Sequence, residues 1–358
     1  MSRIRFSWFT PTNGDGAHIG LKKPEREPSL EYVVKVAQMV EKSGFDGILV
    51  PVGTPYFDSW MVGSAIVHNT NTLRPLIAIR PGFITPSLSA KMASTLDLFS
   101  GGRLDINIVA GGSAHELGQD GDFVDHDTRY TRANDFMEVM NRLWEEEHFD
   151  HDGPHYQIKD GLLVPKNIQR RIPAFFGASS DAGKDATARY GDVYLQWGEP
   201  VEEVRAQIED VNRRAAAYGR TMEHGIRIHV IVRETEEEAW KEADRLVSIV
   251  DPAVEARMRE YYKESDSVAQ SRMSVLLKGD FRFGKFKWAG IGRVRKGAGT
   301  AVVGTPEQVR EGLQEYIDAG VTHFILSGFP HLEEAERVGK TVLPLFNQNQ
   351  KESSLQTN

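Results

Sequence analysis

The 358-residue chain contains no cysteine. That excludes disulfides, thiolate metal centres and a cysteine nucleophile. No stretch approaches the roughly 20 apolar residues needed to cross a bilayer. The opening residues, MSRIRFSWFTPTNG, run into a strand-like segment without an apolar core of signal-peptide length. The expectation is a soluble, cytoplasmic protein. A basic excess is also missing: the net charge of −8 argues against a nucleic-acid binder. A few local arginines can still hold a small anion on a diffusely acidic surface. There is no Gly-x-Ser-x-Gly elbow, which argues against a serine hydrolase. No strand leads into a complete Gly-x-Gly-x-x-Gly; after Gly297 and Gly299 the next required position, 302, is valine. AHELG (114–118) lacks the second histidine of a zinc-protease helix, so no metal site is expected from His115, Glu116 and His126.

What is present is an alternation of strand-like and helix-like segments along the whole chain. The predicted strands are 4–9, 45–51, 74–80, 103–111, 172–179, 192–198, 224–234 and 321–328. Helical patterns separate them, at 29–44, 58–69, 87–102, 130–146, 181–191, 199–219 and 235–250, with a last one at 331–346. Ser29 is a natural cap and Gly44 a natural stop for the first. A hairpin is expected at 155–165. Eight strands alternating with helices predict a (β/α)8 TIM barrel, with a doubly wound open sheet as the rival. Residues 251–300 break the rhythm and fit neither a strand nor a simple turn. They read as a large insertion between strands 7 and 8, of the kind that forms an active-site lid. Thr305, Pro306 and Gln308 then form a capping box for a further helix. The expected layout is one barrel domain over 1–346, with a polar tail at 347–358.

Barrel enzymes place their sites at the C-terminal ends of the strands. Those ends are rich in polar residues and glycine here: Arg80-Pro81-Gly82, Asn107 to Gly112, Gly177 to Ser180, Trp197-Gly198 and Ser327 to His331. In FFGASSDAG (175–183) a strand passes through glycine and two serines into a helix. Free N–H groups at such a start make an anion site, although Ser180 or Asp181 can equally serve only as a cap. The seventh strand, HGIRIHVIVRE (224–234), raises a separate question. Ile226, Ile228, Val230 and Val232 form one face, and Arg227 and His229 share the other. A charge buried there needs either an acidic partner on a neighbouring strand or an anionic ligand. Both residues also lie early in the strand, whereas site residues belong late. Arg293, Arg295 and Lys296 add bases in the insertion, where a solvated loop is the simpler reading.

Taken together, LQWGEP (195–200), GIRIHVIVRETEEEAW (225–240), WAGIGRVRKGAGTAVVG (288–304) and LSGFPHLEEA (326–335) resemble the bacterial luciferase-like flavin monooxygenases, and within them the alkanesulfonate monooxygenase group. The resemblance runs from FSWFTPTNGDG (6–16) to ILSGFPHLEEAERVG (325–339). It implies a (β/α)8 barrel that takes reduced FMN from a separate NAD(P)H-dependent flavin reductase. With O2, such an enzyme cleaves the C–S bond of an alkanesulfonate to an aldehyde and sulfite. It also implies a dimer or tetramer. By the same resemblance, Trp197, Arg227, His229 and His331 fall at active-site positions, and Arg295 at the arginine of a mobile loop. Val52, Gly53, Asn107, Glu116, Arg129, Tyr130, Ser179 and Ser180 are implied to line the FMN, with the Ser180 loop taking its phosphate. Three positions depart from the pattern. Tyr56 replaces a usual cysteine, Asn13 a histidine and Phe329 a tyrosine. They leave the substrate open among sulfonates, a sulfosugar and a dialkyl sulfone. A deazaflavin F420 oxidoreductase and a non-catalytic flavin-binding subunit are the alternatives.

Overall fold

A computed structural model of the chain describes residues 3–264, 267–277 and 279–346. Eight parallel strands carry the fold: β1 (Arg5–Phe9), β2 (Gly47–Val50), β3 (Arg74–Ile79), β4 (Asp105–Ile108), β5 (Ala174–Gly177), β6 (Val193–Trp197), β7 (Glu223–Val232) and β8 (His323–Ser327). Each pairs with the next in chain order, and β8 returns to β1. The sheet therefore closes, and the (β/α)8 barrel is the architecture. An open sheet is excluded, because β1 and β8 hydrogen-bond to each other instead of leaving two edges.

The alternation in each strand explains the layers. Ile226, Ile228, Val230 and Val232 point outward into the main core beneath the surrounding helices. The opposite face of the barrel is plugged by Phe9, Leu49, Leu76, Phe175, Val193, Leu195 and Ile325. Each such buried side chain contributes about 1.5–3 kcal/mol, and together they make the apolar floor on which the site rests. Helix ends follow the expected signals. Ser29 caps Leu30–Lys42, and Thr305 with Gln308 forms a complete capping box on Pro306–Asp318.

Some boundaries differ from the sequence expectation. The helix expected from 130 begins at His126, because Asp125 accepts hydrogen bonds from the Asp127 and Thr128 N–H groups. Residues 251–300 are not irregular throughout. They hold helices Pro252–Glu264 and Val268–Val275, a small hairpin of Arg282–Phe283 with Lys287–Trp288, and a 3-10 turn at Gly290–Arg293. A further strand, Ala301–Gly304, was not expected; it runs parallel to the far end of β7. The tail at 347–358 lies outside the described residues.

Candidate active site

The position of Arg227 and His229 within β7 follows from strand length. β7 has ten residues, and β6 and β8 have five each. Arg227 lies opposite Trp197, the last residue of β6, and His229 lies opposite Ser327, the last residue of β8. Early in β7 is therefore late in the barrel. Beyond Trp197, β7 continues alone on that edge until Ala301–Gly304 fills the vacated place.

At this rim the side chains form a directed chain of hydrogen bonds. Arg227 Nη1 donates to Ser327 Oγ at 2.8 Å. Ser327 Oγ lies 2.6 Å from His229 Nδ1, and His229 Nε2 lies 3.0 Å from the Ala298 carbonyl. Guanidinium only donates and a carbonyl only accepts. His229 Nε2 must then carry a proton, and with a neutral ring Nδ1 is bare and accepts from the Ser327 hydroxyl. The imidazole is neutral in this arrangement. Burial, reinforced by Arg227 and Arg295, holds its pKa well below the ordinary histidine value. His229 is fully buried, and Phe329 stacks on it with ring centroids 5.4 Å apart.

Arg227 is only 6% exposed, and its guanidinium sits over the Phe9 ring at 4.5 Å. Arg295 comes from the distant insertion and packs over the same ring at 5.2 Å and over Phe329 at 5.6 Å. Among the described residues neither guanidinium forms an ion pair with a carboxylate. The acidic partner on a neighbouring strand, one of the two readings of Arg227, is absent among the described residues. Burial, with Arg295 adding like charge, pulls the Arg227 pKa well down; Tyr56 works weakly the other way. His331 is also buried, with its pKa pushed well down by burial, Arg295 and Arg227. Its Nδ1 has no partner among the described residues, and its backbone N–H donates to Asp15 Oδ2 at 2.7 Å.

In front of these groups lies a cavity of about 310 Å3. Val52, Asn107, Tyr130, Ser179, Ser180, Trp197, Arg227 and Arg295 line it. Gly53, Glu116, Arg129, His229 and His331 do not. His229 and His331 stand behind the arginines, and Arg129 is buried, donating to the Val124 carbonyl at 3.2 Å. Glu116 takes Arg80 at 3.1 Å and also Lys296. Burial works against its ionisation, but Lys296 and Arg80 outweigh it and hold its pKa below the usual carboxylate range. Gly53 is glycine because its φ is +143° and a Cβ there would meet the Glu116 carboxylate at 2.6 Å.

The serine turn is a helix cap that also lines the cavity. Ser180 caps Asp181–Tyr190 by accepting from the Gly183 N–H, and it faces the cavity as it does so. Asp181 is turned away, bonded to Arg214 at 2.6 Å, so it places no negative charge against an anion. Tyr130 packs within reach of the same turn, where a Cβ on Gly183 would meet its ring at 2.8 Å. Two amide side chains on the cavity wall are buried yet unsatisfied among the described residues: Asn107 through Oδ1, and Gln196 through both polar atoms. Buried polar atoms without partners point to a polar ligand that completes them.

Several contributors were not legible as site residues. Ser327 is an ordinary polar residue at a strand end until the register sets it between Arg227 and His229. Ala269 and Ala298 reach the cavity from residues 251–300, and no local signal marks them; Lys296, noted only as a base of a solvated loop, lines it too. The insertion is held in place by polar anchors. Gln270 accepts from the Gly297 N–H at 3.2 Å, and Arg272 donates to the buried Glu199 at 2.8 Å, two residues beyond Trp197.

A closed barrel whose mouth carries two guanidiniums, a serine-capped helix start and two unsatisfied amides has the layout of an α/β barrel with its pocket at the C-terminal strand ends. The family model described as luciferase-like monooxygenase matches residues 4–323, and the chain belongs to that family. Among solved structures, a riboflavin lyase with modified FMN and its substrate riboflavin superposes with a TM-score of 0.82 at 21% identity, covering 98% of this chain and 92% of that one. A long-chain alkane monooxygenase gives 0.81 at 21% identity, with the same coverage of 98% and 92%. A coenzyme F420-dependent tetrahydromethanopterin reductase from Methanopyrus kandleri gives 0.71 at 17%, covering 96% and 100%. At these identities the likeness is one of fold. The family makes the protein a flavin-dependent monooxygenase in general terms, and the fold is shared with F420 enzymes.

Proposed function

We propose that the protein is a two-component monooxygenase that uses reduced FMN, supplied by a separate flavin reductase, and O2 to cleave the C–S bond of an organosulfonate. The substrate carbon leaves as an aldehyde and the sulfur as sulfite; the flavin is oxidised and the second oxygen atom leaves as water. One observation carries the substrate class. Two guanidiniums from segments far apart in the chain converge on Phe9, and among the described residues no carboxylate pairs with either. An uncompensated buried charge is costly, so the site is completed by an anion. A sulfonate presents three acceptor oxygens to planar donors. A neutral dialkyl sulfone would leave both charges unpaired, which favours a sulfonate over it.

FMN fits the remaining lining. Ser179, Ser180 and the helix start behind them suit its phosphate, and Asn107 and Tyr130 would flank the rest. When bound, the flavin supplies the activation of O2. The protein's own groups bind, orient and shield. Arg227 grips the anion, and the neutral His229, through Ser327, fixes the guanidinium plane. Trp197 walls the opposite strand end. Arg295 and its loop act as a lid that excludes water, which would otherwise let oxygen escape as hydrogen peroxide. His331 supports Phe9 and Phe329 from behind.

The test is sulfite release from a panel of sulfonates with FMN, a reductase, NAD(P)H and O2. Arg227→Met should lower kcat/KM at least tenfold, as expected for a charged hydrogen bond worth about 1.5–3 kcal/mol. It should also abolish the thermal stabilisation that a saturating sulfonate gives the wild type. Sulfite-free turnover of F420 by hydride transfer would instead place the protein with the F420 enzymes.

A further inference from the structure

Three cavities meet at one side chain. The central one, about 310 Å3, holds Arg227. A vestibule of about 650 Å3 lies between the N-terminal loop around Asn13 and the insertion helix that carries Arg257, Met258 and Tyr261. A third space, about 850 Å3, opens between the ends of β2 and β3 and residues 120–124. Among the described residues Tyr56 alone lines all three.

Tyr56 stands on the loop after β2, where its N–H donates to the Gly53 carbonyl at 3.0 Å. Its ring meets Phe9 edge-on, with centroids 6.4 Å apart, and Phe9 in turn carries the Arg227 guanidinium at 4.5 Å. Tyr56 is thus one aromatic ring away from the proposed anion site. The central cavity lies at the small end of the usual 300–1,000 Å3 for ligand pockets. On the reading above it must hold both a flavin ring and a sulfonate head. A tail of more than a few carbons has to leave it. Tyr56, Tyr261, Arg295 and Lys296 line both the central cavity and the vestibule, so a tail leaving an anion held at Arg295 for the vestibule has to pass among these side chains.

We infer that Tyr56 is the specificity-determining residue that limits this enzyme to short-tailed sulfonates by closing the passage from the central cavity to the vestibule. The inference rests on the sulfonate reading. The Tyr56 side chain makes no hydrogen bond to the described residues, so its truncation leaves no hydrogen-bond partner unsatisfied; Tyr56→Phe removes the hydroxyl's weak influence on Arg227 and keeps the ring, which isolates the steric effect. A single methylene in an apolar pocket discriminates by roughly tenfold or more, and a ring blocking a channel acts on several at once.

The experiment is a chain-length profile. kcat/KM for sulfite release is measured from methane-, ethane-, pentane-, octane- and decanesulfonate, alongside calorimetric binding of the same sulfonates to the flavin-free protein. The wild type should favour the two shortest over decanesulfonate by about tenfold or more. Tyr56→Ala should raise kcat/KM and affinity for octane- and decanesulfonate by about tenfold, with methanesulfonate little changed. Tyr56→Phe should keep the wild-type cutoff, and Tyr56→Trp should move it to shorter chains. Even if Tyr56→Ala fails to fold, Tyr56→Phe and Tyr56→Trp test the cutoff from the other side. A wild type that handles decanesulfonate as well as methanesulfonate overturns the assignment, as does a profile that none of the variants shifts. Absence of sulfite from every sulfonate with the wild type overturns it together with the reading beneath it.

Discussion

Arg227 and His229 share one strand face, and their chemistry depends on a third residue. Ser327 lets a guanidinium and an imidazole sit side by side, because its hydroxyl accepts from Arg227 and donates to His229. Removing its hydroxyl strands His229 Nδ1 without a donor and takes a partner from Arg227. Ser327→Ala should cost about 1–3 kcal/mol, the usual cost of an unsatisfied buried group, seen as a lower urea midpoint with an unchanged m-value; Ser327→Thr should recover most of it. The two-residue spacing of Arg227 and His229 was legible as a shared inward face. That no acid answers them was not, because an acid on any neighbouring strand would have looked the same in the sequence. The register, which sets Trp197 and Ile325 beside Arg227, decides it.

At the scale of elements, the site depends on the insertion being held against the barrel. Arg272 on Val268–Val275 is the pin, bonding Glu199 and, at 2.8 Å, Gln207. Burial pushes the Glu199 carboxyl above its ordinary range even with Arg272 beside it, so the acid depends on that partner. Arg272→Ala should leave the far-UV circular dichroism of the barrel intact while making residues 251–300 cleave faster in limited proteolysis. It should also raise the hydrogen peroxide formed per reduced flavin consumed. Equal protection of the insertion in both proteins would show that other contacts hold it. The eight barrel strands were legible because each is an apolar run between turn signals. Ala301–Gly304 was not, because a four-residue apolar segment flanked by glycines becomes a strand only where the overshoot of β7 offers it an edge.

For the molecule as a whole, buried histidines contribute to the response to acid. His224 packs on the outer face of β7, and its Nε2–H donates to Asn212 at 2.9 Å. Its Nδ1 is buried without a partner among the described residues. Burial lowers its pKa to about 4. A group depressed in the folded state binds fewer protons than in the unfolded chain, whose histidine titrates near 6.5. Its stabilisation is complete above that value and is lost as pH falls toward about 4. His229 and His331 are shifted in the same direction. The contribution of His224 can be isolated with His224→Gln, whose amide keeps a donor for Asn212. Relative to pH 7.5, the wild type should lose about 2 kcal/mol more than this variant by pH 5, measured by denaturant titration at each pH. Parallel curves for the two proteins would mean that His224 titrates normally.

By itself the sequence determined the barrel, the polar strand ends and the family, because strand and helix periodicity and short motifs are local properties of the chain. It also placed Arg227 and Arg295 among the residues to watch. Only the tertiary structure decided that the two guanidiniums share one aromatic ring, that His229 stands behind Arg227, and that Glu116 faces Arg80 and Lys296 outside the central cavity. The physical reason is that charge pairing, burial and cavity shape depend on distances between segments one or two hundred residues apart. Strand register and the docking of the insertion set those distances.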